Sequence, residues 1–171
     1  DEGAYLLKGY LFVTGQYFPY QDYGPWTNHM PLAFLIPGLV QRLFAPGLGS
    51  GRLLSMIWGV WMLLGLWILV RRLGGRYWAV IAVWSVALNA ALVKLYSLAN
   101  SQSLVACLLV WVLVWVLGEK RNLWHLLAGA FLAGVLWMTR INMAPVLILL
   151  VGYIIWQYGW RIGIASALVG G

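Results

Sequence analysis

The stretch LLSMIWGVWMLLGLWILV, residues 53–70, decides the fold class of this chain. It contains no charged residue, and Arg71 and Arg72 follow it directly. A helical run of about 20 apolar residues matches the thickness of a bilayer's hydrocarbon core. Only helices and closed barrels satisfy their backbone hydrogen bonds in lipid, and the run shows no alternation of period two. We therefore predict a transmembrane helix here.

Apolar runs of the same kind fill the rest of the chain, and most of them end at charged residues. The runs are residues 77–93, 103–117, 123–139 and 144–158, and a further run begins at residue 162. We predict an all-α integral membrane protein, a polytopic helical bundle with about five spans plus a partial sixth. Residues 53–171 form this truncated bundle.

Composition excludes the other protein classes. Of 171 residues, 63% are hydrophobic and 9% are charged, whereas a soluble domain has about 25% charged residues. Disorder requires low hydrophobicity, and a single cysteine, Cys107, excludes a disulfide scaffold. The chain opens at Asp1 rather than at a methionine and stops at Gly171 inside an apolar run. We expect it to be a piece of a longer protein.

The first 52 residues differ from the bundle because they collect prolines, aromatic residues and acids. Three of the four acidic residues are here, and so are Pro37 and four other prolines of the six. Residues 4–13 predict a short helix, 15–27 are rich in turn residues, and the apolar stretch 32–44 is interrupted by Pro37. We interpret residues 1–52 as an extracytoplasmic loop with juxtamembrane helices that lie on the membrane.

The basic residues set the orientation. Six of them fall in loops on one side of the predicted bundle, while Lys94 and Arg140 fall on the other. Because positive charge collects in cytoplasmic loops, the six-residue side is predicted to be cytoplasmic. Its residues are Arg71, Arg72, Arg76, Lys120, Arg121 and Arg161, with Trp78, Trp124, Trp156 and Trp160 nearby as an aromatic belt. The net charge of +7 therefore reflects topology, and we expect no nucleic-acid partner.

Asp1 and Glu2 stand at the start of the first predicted helix. Acids at a helix N-terminus complement the helix dipole, which is a purely structural role. Alternatively, a carboxylate at the membrane surface can act as a general base towards an incoming hydroxyl. The position alone favours the first interpretation.

Four further polar residues are candidates for substrate contacts. Asp22 lies in a turn-like segment, and a lone histidine such as His29 is more often structural, although an imidazole can contact a phosphate. Arg52 and Arg140 border predicted spans, where arginine commonly extends to the headgroups. Arg140 lies between two apolar runs that only a few residues separate, which places it close to the membrane interior. Ionisable residues within a membrane point to function. Two arginines can also grip a lipid phosphate.

Other patterns point to structure. Gly129 with Ala133, and Ala130 with Gly134, have the spacing of closely packed helices. His125 and Cys107 lack metal-ligand spacing. We therefore expect no metal or other cofactor, and a divalent metal finds no support in the sequence.

The order of these features resembles the GT-C glycosyltransferases of the dolichyl-phosphate-mannose protein mannosyltransferase type, which include aminoarabinose transferases. The shared features are an Asp-Glu pair, a Gly-x-x-x-Pro-Tyr-x-Asp segment ending at Asp22, Pro31-Leu32, Arg52-Leu-x-Ser, basic residues at 71–76, and a Gly-Ala-x-x-Ala-Gly run (residues 129–134) ending near Arg140. The resemblance covers nearly the whole chain as the first part of such an enzyme.

The resemblance implies transfer of a sugar from a polyprenyl-phosphate donor to an extracytoplasmic lipid or protein acceptor. It implies that Asp1 is the catalytic base of an inverting reaction with Glu2 beside it, and that His29 contacts the phosphate. Arg52 and Arg140 are weaker candidates for the same contact. The loop at residues 95–102 lacks the acid that many members carry, so a metal-assisted step is not expected. We expect the fragment alone to be inactive. The alternative is a non-catalytic membrane subunit or transporter.

Overall fold

The computed structural model describes residues 2–18, 31–44, 46–118 and 121–171, and every regular element within these ranges is helical. Asp1, Asp22 and His29 lie outside these ranges. The helices are α1 (Glu2–Val13), α2 (Leu32–Phe44), α3 (Leu48–Gly74), α4 (Arg76–Ala87), α5 (Ala90–Ser97), α6 (Ser101–Val116), α7 (Leu123–Thr139), α8 (Ala144–Tyr158) and α9 (Trp160–Gly170), with a 3-10 turn at Ile141–Met143. The all-α prediction is confirmed for the described residues.

Two helical segments are long and apolar enough to cross a membrane. They are α3, with 27 residues, and the 18-residue segment Ile141–Tyr158 that joins the 3-10 turn to α8. The α4–α5 pair is a third candidate if it counts as one span. At 16 and 17 residues, α6 and α7 are shorter apolar helices. The chain is thus a helical membrane protein with two or three spans by length among the described residues. Helix α3 begins at Leu48, ahead of the predicted boundary at residue 52.

The apolar run at residues 77–93, which the sequence predicts as one helix, is broken. Helix α4 ends at Ala87, α5 begins at Ala90, and their axes differ by 69°. Asn89 causes the break because its side-chain oxygen accepts hydrogen bonds from the backbone N–H groups of Ala91 and Leu92, at 3.1 and 3.2 Å. These bonds cap a new helix. The hydropathy of the run did not reveal the helix break, because a single uncharged asparagine hardly lowers the mean hydropathy of its apolar neighbours.

Helices α1 and α2 pack against each other through glycine. Gly9 and Gly38 meet backbone to backbone, leaving no room for a Cβ atom on either residue. Phe34 is fully buried in this contact, and its ring stands edge-on to that of Phe12 at 5.2 Å. The two helices therefore form a tight hairpin beside the bundle.

The bundle core lies between α6, α7, α8 and α9. The predicted small-residue packing is confirmed: Ala130 and Ala133 are fully buried, a Cβ on Gly129 would strike Val116, and one on Gly134 would strike the backbone of Gly170. These small residues let α7 approach α6 on one side and α9 on the other.

The bundle has two chemically distinct ends. At one end, Arg72 in the last turn of α3 donates to the carbonyls of Val114 and Leu117, and Tyr158 at the end of α8 donates to the carbonyl of Gly118. We call this the basic end. The first turns of α3 and α6 lie at the other end, next to Glu2, which we call the Glu2 end.

Candidate functional site

The side chain of Glu2 connects the segments that meet at the Glu2 end of the bundle. Its carboxylate accepts hydrogen bonds from Arg52 through both oxygens, with Nε to Oε1 at 3.1 Å and Nη2 to Oε2 at 2.8 Å. This paired arrangement uses the planar fork of the guanidinium, which makes it more directional than a single ion pair. The start of α1 is thereby fixed to the start of α3.

A second anchor joins Glu2 to α6. The backbone N–H of Ala99 donates to Oε1 of Glu2 at 2.7 Å. Ala99 lies between α5 and α6, so neither helix uses this N–H group, while Asn100 caps α6 by accepting from the N–H of Gln102 at 2.9 Å. One carboxylate therefore ties α1, α3 and α6 together, an arrangement we call the Glu2 clamp.

Close packing beneath the clamp depends on Gly51. A Cβ on Gly51 would lie 2.6 Å from Cδ2 of Leu6 and 2.9 Å from the Cβ of Ala99. Ser55, one turn further along α3, is buried as well. The absence of a side chain at Gly51 lets the three segments converge where Arg52 meets Glu2.

The clamp fixes the charge state of Glu2. The hydrogen bond from Arg52, followed by that from Ala99, lowers the pKa of the Glu2 carboxyl from 4.5 to about 2. The carboxylate is therefore ionised at neutral pH and a weak proton acceptor, because an efficient general base has a pKa near the working pH. Glu2 therefore acts in the structure as a charged anchor that fixes the start of α1.

A buried lysine lies one and a half turns further along α1. Lys8 is only 3% exposed, and its Nζ lies 4.8 Å from the ring centroids of both Tyr17 and Phe34. Ammonium groups at this distance from aromatic faces gain cation–π stabilisation. Lys8 is the one charged residue between Glu2 and Asp22, but no motif in the sequence marked it as a site residue.

Arg140 is the remaining described candidate. It follows α7, is half-buried, and its carbonyl accepts from the N–H of Met143 at 2.9 Å. Helix α7 runs opposite to α6, because its first half packs on Val116 at the end of α6, so Arg140 lies towards the Glu2 end. Its guanidinium makes no hydrogen bond or ion pair within the described ranges.

Two of the predicted site residues are thus in direct contact, namely Glu2 and Arg52. Asp1, Asp22 and His29 lie outside the described residues. Two of the three guanidinium nitrogens of Arg52, Nε and Nη2, already bond to Glu2. Only Nη1, which bonds to nothing in the described part of the chain, remains for the predicted phosphate contact. The anchoring N–H of Ala99 could not be found from sequence because a backbone group leaves no residue pattern.

A known protein family matches most of this sequence. The model of the family described as dolichyl-phosphate-mannose-protein mannosyltransferase matches residues 28–169. The match includes His29, Arg52 and Arg140, while Asp1, Glu2 and Asp22 precede it. No curated protein and no solved structure matches the chain. Because the match covers most of the sequence, the chain belongs to the dolichyl-phosphate-mannose-protein mannosyltransferase family.

Proposed function

We propose that this chain is part of a membrane glycosyltransferase that moves a sugar from a polyprenyl-phosphate donor to a lipid or protein acceptor on the extracytoplasmic face. The Glu2 clamp is the observation that carries the proposal. It holds the residue next to Asp1 at the junction of three helices, with bonds of 2.7 to 3.1 Å. A reacting carboxylate needs such rigid support.

The proposed reaction is a direct displacement. Asp1 accepts the proton of the acceptor hydroxyl, whose oxygen attacks the anomeric carbon with inversion. The bond between that carbon and the phosphate oxygen breaks, and its electron pair leaves with the polyprenyl phosphate. Groups already in place where negative charge develops stabilise such a transition state. His29 and Arg140 are our candidates for this contact, with Nη1 of Arg52 as a third and Asp22 as a further substrate contact.

We also propose that the bundle is the first part of a GT-C fold with about five spans and a partial sixth. The shorter helices fit this proposal. Helices α6, α7 and α9 are apolar, and flanking residues can extend each of them by a turn towards the length of a span, while the bent α4–α5 pair counts as one broken span. Helix α6 packs along the span-length α3, as a neighbouring span would.

The test uses the full-length protein in membranes with labelled polyprenyl-phosphate sugars. We expect transfer of label to an acceptor, and its loss in Asp1→Asn with normal insertion and folding. Glu119→Gln is the matched control, because it removes one negative charge from a loop on the predicted cytoplasmic side. It should transfer sugar at the normal rate.

Two outcomes contradict the proposal. Normal transfer by Asp1→Asn removes Asp1 from the mechanism. Failure of the wild-type protein to transfer any labelled sugar, although it binds polyprenyl phosphate in the same membranes, favours a non-catalytic subunit.

A further inference from the structure

The basic end contains a cleft that the proposed function does not use. Two arginines from different segments, Arg72 in the last turn of α3 and Arg121 before α7, line it together with Gly118, Tyr153 and Gln157. The cleft has a volume of about 570 Å³, which is within the size range of small-molecule sites. We call it the basic cleft.

The two arginines are held close together by the end of α6. Nη1 of Arg72 and Nη2 of Arg121 both donate to the carbonyl oxygen of Leu117, at 3.2 and 2.7 Å. The same two groups also donate to the carbonyl of Val114, at 2.8 and 3.2 Å. Because they share acceptors, the two nitrogens lie within about 6 Å of each other, although like charges at this distance repel.

Both guanidiniums keep donors that the carbonyls do not use. Each has five N–H groups, and Nη2 of Arg72 and Nη1 of Arg121 bond to nothing in the described ranges. The one acidic residue among the described residues is Glu2, at the other end of the bundle. No acidic side chain within the described ranges therefore faces the two arginines of the cleft.

The surroundings of the cleft match the headgroup depth of a membrane. Arg72 lies in the last turn of the long apolar helix α3. Trp156 and Trp160, which are 79% and 61% exposed, lie at the same end of the bundle, in the last turn of α8 and at the start of α9. Exposed tryptophans at the end of a membrane helix mark the membrane–water interface. Leu73 and Leu117 add apolar surface to the lining. A ligand here meets paired cations at one point and apolar surface beside them.

We propose that the basic cleft binds the phosphate of an anionic phospholipid. The remaining donors of Arg72 and Arg121 hold the phosphate, Tyr153 and Gln157 border the polar headgroup, and the acyl chains follow the apolar surface. Basic pockets between membrane helices bind anionic headgroups in this way. The bound lipid would also offset the repulsion between the two arginines, so the site stabilises the basic end.

The test measures lipid selectivity with no sugar donor present, so its result is independent of the proposed transferase activity. The protein is placed in phosphatidylcholine vesicles containing a trace of spin-labelled phosphatidylglycerol or spin-labelled phosphatidylcholine. The fraction of motionally restricted label gives the selectivity. We expect a preference for phosphatidylglycerol that falls about five-fold in Arg72→Gln and in Arg121→Gln. Arg71→Gln, with the same charge change on the same helix but outside the cleft, should change it less than two-fold.

Gln157→Glu covers the case in which the arginine variants fail to fold, because it leaves the carbonyl bonds intact. We expect it to lower the preference, whereas the same change at the exposed Gln16, outside the cleft, should not. An equal loss in Arg71→Gln would mean diffuse surface attraction and overturn the proposal. An unchanged preference in Gln157→Glu would also overturn it. If inorganic phosphate binds and phosphatidylglycerol is not preferred, the lipid assignment is wrong.

Discussion

Replacing Gly9 by alanine tests the contact that fixes α1, the helix that carries the Glu2 clamp. A Cβ at this position would lie 2.9 Å from the backbone nitrogen of Gly38 and 3.0 Å from its Cα, and closer still to the carbonyl oxygen of Phe34. All three obstacles are backbone atoms, so no side-chain rotation can relieve them. Helix α1 must move away from α2. Gly3, on the same helix, has nothing within 4 Å of its Cβ position and provides the matched control.

The expected magnitude follows from comparing the two variants. Alanine favours a helix over glycine by up to about 1 kcal/mol at either position, and this gain largely cancels in the comparison. What remains is the cost of forcing a methyl group into a filled contact, about 1–3 kcal/mol. For a chain of this size each kcal/mol corresponds to about 2–4 °C in Tm. Gly9→Ala should therefore melt several degrees below Gly3→Ala.

Thermal unfolding of the purified protein in one detergent measures both values, followed through tryptophan fluorescence. Because α1 begins at Glu2, which directly follows the proposed base Asp1 in sequence, Gly9→Ala should reduce sugar transfer by the full-length protein more than Gly3→Ala does. Equal melting temperatures for the two variants would refute the close approach of α1 and α2.

Three further predictions follow from single side chains. Glu2→Gln should be less stable than wild type above pH 4.5, and the difference should vanish as the pH falls towards about 2, because the clamp lowers the folded-state pKa of Glu2 between these values; a pH-independent difference in Tm would contradict this. Asn89→Ala should cost about 1 kcal/mol of unfolding free energy because it removes a helix cap. Asn122→Ala should be nearly neutral in the same denaturation experiment, because its side chain caps nothing. Arg140→Ala should weaken binding of polyprenyl phosphate about ten-fold, the scale of one hydrogen bond to a charged group, while Lys94→Ala should not; unchanged affinity in Arg140→Ala would remove that residue from the site.

The apolar runs predicted most of the helices because burial in lipid is read directly from hydropathy. The run at residues 53–70 lies inside α3, and those at 123–139 and 144–158 coincide with α7 and α8. The prediction of one continuous helix at residues 77–93 was wrong at Asn89, whose side-chain hydrogen bonds start a new helix within the apolar run. A capping side chain inside an apolar run is visible in sequence, but hydropathy gives it little weight.

The candidate site was less predictable because its contacts are distant in sequence. Arg52 and Ala99 lie 50 and 97 positions from Glu2, so no local pattern connects them. The sequence placed acids at the start of α1 and an arginine at the start of α3 but could not pair them. From the sequence, Arg52 was therefore predicted to contact a phosphate, whereas in the structure two of its guanidinium nitrogens bond to the Glu2 carboxylate. Lys8 was missed since the lysine of a short helix ordinarily reaches solvent, whereas here its ammonium lies against the rings of Tyr17 and Phe34.

The Glu2 clamp also has a consequence for biosynthesis. Its last component, Ala99, is made 97 residues after Glu2, and a ribosome adds about 5–20 residues per second. The start of α1 therefore waits about 5–20 s for its final partner, and α3, α4 and α5 are synthesised during that interval. The carboxylate spends that interval in water or with Arg52 alone. Completion of the Glu2 clamp must consequently follow synthesis of α3, α4 and α5, so a newly made chain that stops before Ala99 lacks one of the two anchors of α1.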